Sequence, residues 1–135
     1  MAGYSGKPLA EKLGIKKDFT IVLLNAPKHY LTLVAPLPGG VTIAKNISGK
    51  TDLIHFFVTT KVELSKLLNA MLKKIKQDAV IWVSWPKKSS NVLTDITEDR
   101  IRDIALPLGL VDIKVCAVDE VWSGLKLVIR KENRK

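Results

Sequence analysis

Three stretches limit what this chain can fold into: "FTIVLL" at Phe19–Leu24, "LIHFFV" at Leu53–Val58 and "AVIWVSW" at Ala79–Trp85. Each is apolar at odd and even positions alike, so a strand built from any of them has no face suited to water. Each is also far shorter than the roughly 20 residues that span a bilayer. A strand that is apolar on both faces must be covered on both sides, which is the situation of a parallel sheet between layers of helix. The segments between the runs carry helix signals.

Ser5 as N-cap and Gly14 as stop frame a short leading helix over "SGKPLAEKLGIKKD". The first strand is expected at Phe19–Asn25, and Pro27 can open a helix carrying "KHYLTLVAPL" that ends before Pro36 and Pro38. "PGG" at Pro38–Gly40 reads as a turn and Val41–Lys45 as a second strand. After the Leu53–Val58 strand, Thr60 and Glu63 have the spacing of a capping box. Leu64, Leu68, Met71, Leu72 and Ile75 then make one apolar stripe, leaving Lys66, Lys73, Lys74 and Lys76 for a solvated face. Thr97 caps the next helix, with Glu98 and Asp99 in its first turn, an apolar stripe at Ile101, Ile104, Ala105 and Leu108, and Pro107 and Gly109 to close it. "VDIKVCAVDEV" and "GLKLVIRK" are read as two strands joined tightly around Trp122-Ser123-Gly124, a link too short for anything but antiparallel pairing. The expected architecture is one α/β domain over residues 1–135. It is a Rossmann-like three-layer α/β/α sandwich whose sheet is mostly parallel, with an antiparallel C-terminal hairpin strand.

The 135 residues are 47% apolar and 26% charged, a globular balance that can bury a core without metals or disulfides. Cys116 is the only cysteine, so no disulfide can close within the chain, and a reducing cytoplasm is the natural compartment. "MAGYSGKPLAEKLG" carries no hydrophobic signal segment, and no membrane association is expected. The net charge of +9 is spread along the chain and reads first as a solvated surface; no nucleic-acid-binding motif accompanies it. The hairpin places a strand near the sheet edge, where Lys126 and Arg130 would blunt pairing and favour a monomer.

The succession "TDLIHFFVTT", long helix, "AVIWVSWPKK", second helix ending "LGL", and terminal hairpin resembles the class I methyltransferase fold. The segments "GYSGKPLAEKLGIK", "LLNAP", "WPKKSS", "TDITED" and "ALPLGLVDIKVCAVDEVWSGLKLVIRKENR" resemble, end to end, a family of short bacterial proteins of unknown function. The first resemblance implies an adenosylmethionine site at the end of the first strand; the second implies no activity.

Such a site asks for glycines after the first strand and an acid after the second, to grip ribose hydroxyls. Here the loop is Asn25-Ala26-Pro27-Lys28, the second strand ends Ala44-Lys45-Asn46, and the nearest acid is Asp52. The expectation is therefore no cofactor. Ligands of open parallel sheets lie beyond the carboxyl ends of the strands. There the sequence places Asn25, Trp85, Lys87, Lys88, Asp119, Glu120 and Trp122. Each has a plain structural role open to it: turn, solvated charge or rim packing. Together they form a candidate ligand rim, with Lys87 and Lys88 beside Ser89 and Ser90 for an anion, Asp119 or Glu120 for hydroxyls or amines, and Trp122 for stacking. No catalytic or metal set is expected. His29 lies in the first crossover, His55 lies mid-strand, Cys116 is a small apolar residue, and no serine sits in a "GxSxG" elbow. The leading reading is a non-catalytic or vestigial domain binding a small anionic ligand or a protein partner. The alternatives are a divergent adenosylmethionine-dependent methyltransferase and a basic nucleic-acid accessory protein.

Overall fold

The structure, a computed structural model, describes residues 7–134. Six strands form one sheet in the order β2-β1-β3-β4-β6-β5: β1 (Thr20–Leu24), β2 (Thr42–Ala44), β3 (Leu53–Phe57), β4 (Val80–Pro86), β5 (Leu110–Ala117) and β6 (Trp122–Ile129). The pairs β1–β2, β1–β3 and β3–β4 are parallel, whereas β6 runs antiparallel to both β4 and β5. Helices α1 (Leu9–Leu13), α2 (Tyr30–Leu33), α3 (Lys61–Met71) and α4 (Glu98–Ala105) complete the α/β architecture.

The apolar runs are buried on both sides, as their composition requires. Along β3 and β4, Ile54, Phe56, Ile81, Val83 and Trp85 enter the core under α3 and α4, while Leu53, Phe57 and Trp82 enter a second core with Leu13, Ile15 and Tyr30. The stripe Leu64, Leu68, Met71 and Ile75 fills the first core. In the second, Trp82 is fully buried and its indole N–H donates to the Leu13 carbonyl at 2.9 Å. The largest side chain of the sheet thereby fixes the end of α1.

Several expectations need correction. Ser5 lies outside the described residues, while Gly14 ends α1 in the left-handed region as its sequence position suggests. The helix after β1 is only Tyr30–Leu33. Tyr30 alone among its four residues is buried, too little apolar contact to hold a longer helix in place. The capping box is half made: Thr60 accepts from the Glu63 N–H at 3.2 Å, but the Glu63 carboxylate accepts from Asn25 instead. Lys76 is not a free surface charge; it pairs with Asp52, which also accepts from the Thr20 N–H at 2.7 Å. The hairpin turns at Val118–Val121, and Trp122, Ser123 and Gly124 belong to β6. Gly124 is a packing glycine, since a Cβ there would sit 3.2 Å from the Trp82 ring and 3.3 Å from Val118. Because β6 lies between β4 and β5, Lys126 and Arg130 do not guard an edge. The edge strand is β5, with a register shift between Asp112 and Lys114.

The sheet also carries a buried polar chain. The Tyr30 hydroxyl meets His55 Nδ1 at 2.8 Å, and His55 Nε2 meets the Ser84 hydroxyl at 2.7 Å. Complete burial lowers the His55 pKa to about 3, so the folded protein holds a neutral imidazole. The unfolded chain takes up a proton below about pH 6.5. Stability from this site is therefore intact above that pH and is lost as the pH falls toward about 3. The slope between those limits is about 1.4 kcal/mol per pH unit. Denaturant melts at pH 7, 6 and 5 should show that loss in the native chain. A His55→Gln variant should start less stable at pH 7 and lose distinctly less on acidification.

Candidate functional site

The carboxyl ends of the parallel strands open on one rim, and the reversed β6 begins at that rim with Trp122. Asn25 closes β1 with φ 57°, a left-handed conformation that asparagine adopts more readily than other side-chain-bearing residues. Its side-chain amide donates to the Phe57 carbonyl at 3.4 Å and to the Glu63 carboxylate at 3.3 Å. The β1 loop is thus fastened to the end of β3 and the first turn of α3. Glycine is absent from this loop, yet the backbone makes the turn that glycine usually provides.

At the same rim, His29 Nε2 lies 3.1 Å from Asp119 Oδ2. The other carboxylate oxygen of Asp119 accepts from the Val121 and Trp122 N–H groups at 2.8 and 2.7 Å. An aspartate that hydrogen-bonds to the backbone two and three residues on is what bends the chain here. Asp119 is only 9% exposed, while the His29 side chain is 56% exposed. The Trp122 indole stands edge-on to Phe57, centroids 5.1 Å apart, and the Lys87 N–H donates to the Val121 carbonyl at 2.7 Å.

The seven residues expected to share one rim divide between the two faces of the sheet. Trp122 lies on the α2 side with Asp119, whose carboxylate reaches His29; the Asn25 amide reaches instead to the Phe57 carbonyl and to Glu63 of α3, and Glu120 is exposed in the turn. Trp85 is 7% exposed and packs into the opposite core, because neighbouring side chains along a strand point to opposite faces. With Lys88, Thr94, Ile96, Thr97 and Glu98 it lines a separate cavity of 490 Å³. Lys87 is half-buried and joins the turn through its backbone, Lys88 and Ser89 are exposed, and the Ser90 hydroxyl donates to the Lys87 carbonyl at 2.6 Å. Asp52 stands at the amino end of β3, the wrong end for a ribose, and Lys45 and Asn46 after β2 are exposed. Glu63 is the residue that sequence reasoning missed. Its helix-cap spacing gave it a different partner, and no local signal links it to Asn25. Among the described residues, no group of three or more His, Cys, Asp or Glu side chains could hold a metal, and no helix is long and apolar enough to cross a membrane.

No family model and no curated protein matches the chain, so the narrower resemblance to a short bacterial family gains nothing there. Solved structures do match. A putative type 11 methyltransferase from Sulfolobus solfataricus aligns with TM-score 0.64 at 11% identity, over 94% of this chain and 92% of that one. Aeropyrum pernix fibrillarin, with natively bound S-adenosyl-L-methionine, gives 0.61 at 12% over 89% and 73%. The B. subtilis tRNA methyltransferase TrmK gives 0.58 at 10% over 96% and 70%. At these identities the likeness shows the fold. It also corrects the leading functional expectation, a non-catalytic or vestigial domain for a small anion or a protein partner. Two of these three structures are described as methyltransferases and the third is fibrillarin with bound S-adenosyl-L-methionine, which backs the alternative of a divergent methyltransferase better than that expectation. Asn25 makes, in the left-handed region, the turn that glycine was expected to supply after β1.

The rim geometry has a direct stability test. Asp119→Ala removes the acceptor of two backbone N–H groups in a tight turn and should cost about 2 kcal/mol in urea unfolding. His29→Ala, which removes an exposed partner of the same carboxylate, should cost less than about 0.5 kcal/mol.

Proposed function

We propose that this protein is a divergent S-adenosylmethionine-dependent methyltransferase. The observation that carries the reading is the left-handed Asn25 turn at the end of β1, on a sheet that superimposes on solved methyltransferases along nearly its whole length. The residues at that turn fit the cofactor. Asn25 offers a side-chain amide and a left-handed turn at the end of β1. Glu63, clipped to it, offers a carboxylate that would accept hydrogen bonds from ribose hydroxyls or from an ammonium. The end of β2 contributes no acid, since Lys45 and Asn46 stand there, so Glu63 is the carboxylate assigned to that task.

When bound, the cofactor supplies an electrophilic methyl group on a sulfonium. The chain's own contribution is placement and proton handling. Trp122, held edge-on by Phe57, bounds the crevice on the β6 side. His29 keeps Nε2 on Asp119, which leaves its second ring nitrogen, Nδ1, without a hydrogen-bond partner among the described residues. A proton taken there would be balanced by the largely buried Asp119 carboxylate. Asn25, Glu63, His29, Asp119 and Trp122 are thus the proposed site. Trp85, Lys87, Lys88 and Glu120 lie outside it.

Calorimetric titration of the intact chain with S-adenosylmethionine tests the reading, with thermal melting as a second measure. A ligand that prefers the folded state adds about 2.7 kcal/mol at 100 times its Kd, so a clear rise in Tm is expected at saturation. Glu63→Gln should weaken binding about tenfold, the size of a lost hydrogen bond to a charged group. Asn25→Gly keeps the left-handed turn but loses the amide that holds Glu63, and should weaken binding by less than Glu63→Gln does. Neither heat nor a Tm shift at millimolar cofactor would end the proposal.

A further inference from the structure

The lysines that look scattered along the sequence gather on one face of the fold. In the β5–β6 register, Lys114 stands directly opposite Lys126, Cys116 opposite Gly124, and Lys126 opposite Trp82 on the other side. Directly paired residues share a face, and so do alternate residues of one strand. Lys114, Cys116, Lys126, Gly124 and Trp122 therefore all lie on the side of the sheet that carries α1. Helix α1 brings two more cations to the same place. A methyl group at Gly14 would come within 3.9 Å of the Lys126 ammonium nitrogen, so the end of α1 sits over Lys126, with Lys12 and Lys16 two residues to either side.

Charge at this patch is not balanced from within. None of Lys12, Lys16, Lys114 or Lys126 takes part in an ion pair among the described residues. Asp112 is engaged with Arg102, and Asp119 with His29 and its own turn; Glu11 and Asp18, beside Lys12 and Lys16 in sequence, take part in no ion pair among the described residues. Like charges placed opposite each other on paired strands destabilise the pair. Burial, and after it the proximity of Lys114 and Lys16, lowers the Lys126 pKa, which agrees with an ammonium crowded by its own kind. An anion laid across the face would relieve that repulsion.

We propose that this face docks a single-stranded phosphodiester chain, which is the methyl acceptor. The acceptor role rests on the methyltransferase reading. Two features select a polynucleotide strand over other polyanions. The first is Trp122, half-buried at the rim end of the same face, where an aromatic ring can stack a base while lysines track the backbone. From Trp122 to Lys126 the strand runs about 13 Å, the length of about four stacked nucleotides. The second is the absence of apolar bulk. The exposed large hydrophobic side chains among the described residues are Leu31, Ile43, Val62, Val92, Leu93, Leu106, Ile113 and Val115. None of them belongs to the face defined by Lys114, Lys126 and Trp122, whereas a membrane-binding surface presents apolar side chains to the bilayer. A strand lying here passes Trp122 and reaches the crevice of His29, Asp119 and Asn25.

Fluorescence anisotropy of a labelled 12-nucleotide oligouridylate and of its DNA counterpart, with the intact chain from 50 to 300 mM salt, tests this. Lys12 is buried, so phosphate contacts from Lys16, Lys114 and Lys126 give a slope of log K against log salt of about −2. The double substitution Lys114→Gln with Lys126→Gln should reduce that slope by about 1.4 and weaken binding at 50 mM salt. Trp122→Ala should weaken binding about tenfold with the slope unchanged. A control pair on α3, Lys73→Gln with Lys74→Gln, should alter neither. Equal losses from the α3 pair overturn the proposal, as does binding to phosphatidylserine vesicles without binding to either oligonucleotide. Calorimetry with S-adenosylmethionine separates the two readings. Cofactor binding without lysine-dependent oligonucleotide binding defeats this inference alone. Lysine-dependent binding without cofactor heat defeats the acceptor role and the methyltransferase reading, and leaves the docking surface.

Discussion

Every residue of β3 is buried, and the remainder of the molecule is arranged around that fact. A strand that cannot meet water on either side needs neighbours along both edges and layers over both faces. β1 and β4 flank it, α3 and α4 close one face, and α1 with Tyr30 and Val34 closes the other. The one polar side chain in the strand, His55, is tolerated because Tyr30 and Ser84 take its two ring nitrogens. A buried imidazole without them would be costly. Trp82, next door on β4, hands its indole proton to the last turn of α1, so sheet and helical layer are joined by a directional bond as well as by packing.

The parallel core was legible because composition alone decides it. No alternation in "FTIVLL" or "LIHFFV" leaves no choice of face, and the helix stripes between them have a period that only one secondary structure satisfies. The order of the last two strands was half legible. A short connector imposes antiparallel pairing, but nothing in "GLKLVIRK" says that this strand pairs on both sides. That depends on β4 presenting an open edge, and on Gly124 leaving room for the Trp82 ring. Glycine in the hairpin invited a turn assignment, whereas the bend is made by Asp119.

The candidate site was less legible, for a different reason. Asn25, Asp119 and Trp122 could be placed at the rim by counting strand ends, but which face each occupies depends on where each strand stops. One residue of difference sends Trp85 and Trp122 to opposite cores. Glu63 and His29 gained their roles from partners 38 and 90 residues away, separations at which sequence carries no pairing signal. The turn after β1 shows how a rule about residue type can mislead where the need is conformational. What the tight turn requires is positive φ, and asparagine satisfies it.

The position of β6 has a bearing on how the molecule is made. The last strand in chain order is not the last in space; it is wedged between β4 and β5 and bonded to both. Until a ribosome releases it, β4 has a raw flank and β5 has nothing to pair with, although five of the six strands already exist. A nascent chain paused at that stage would offer an unpaired parallel edge to any similar chain nearby. Docking of β6 therefore covers both flanks in a single event and works as the clasp that ends the period of exposure.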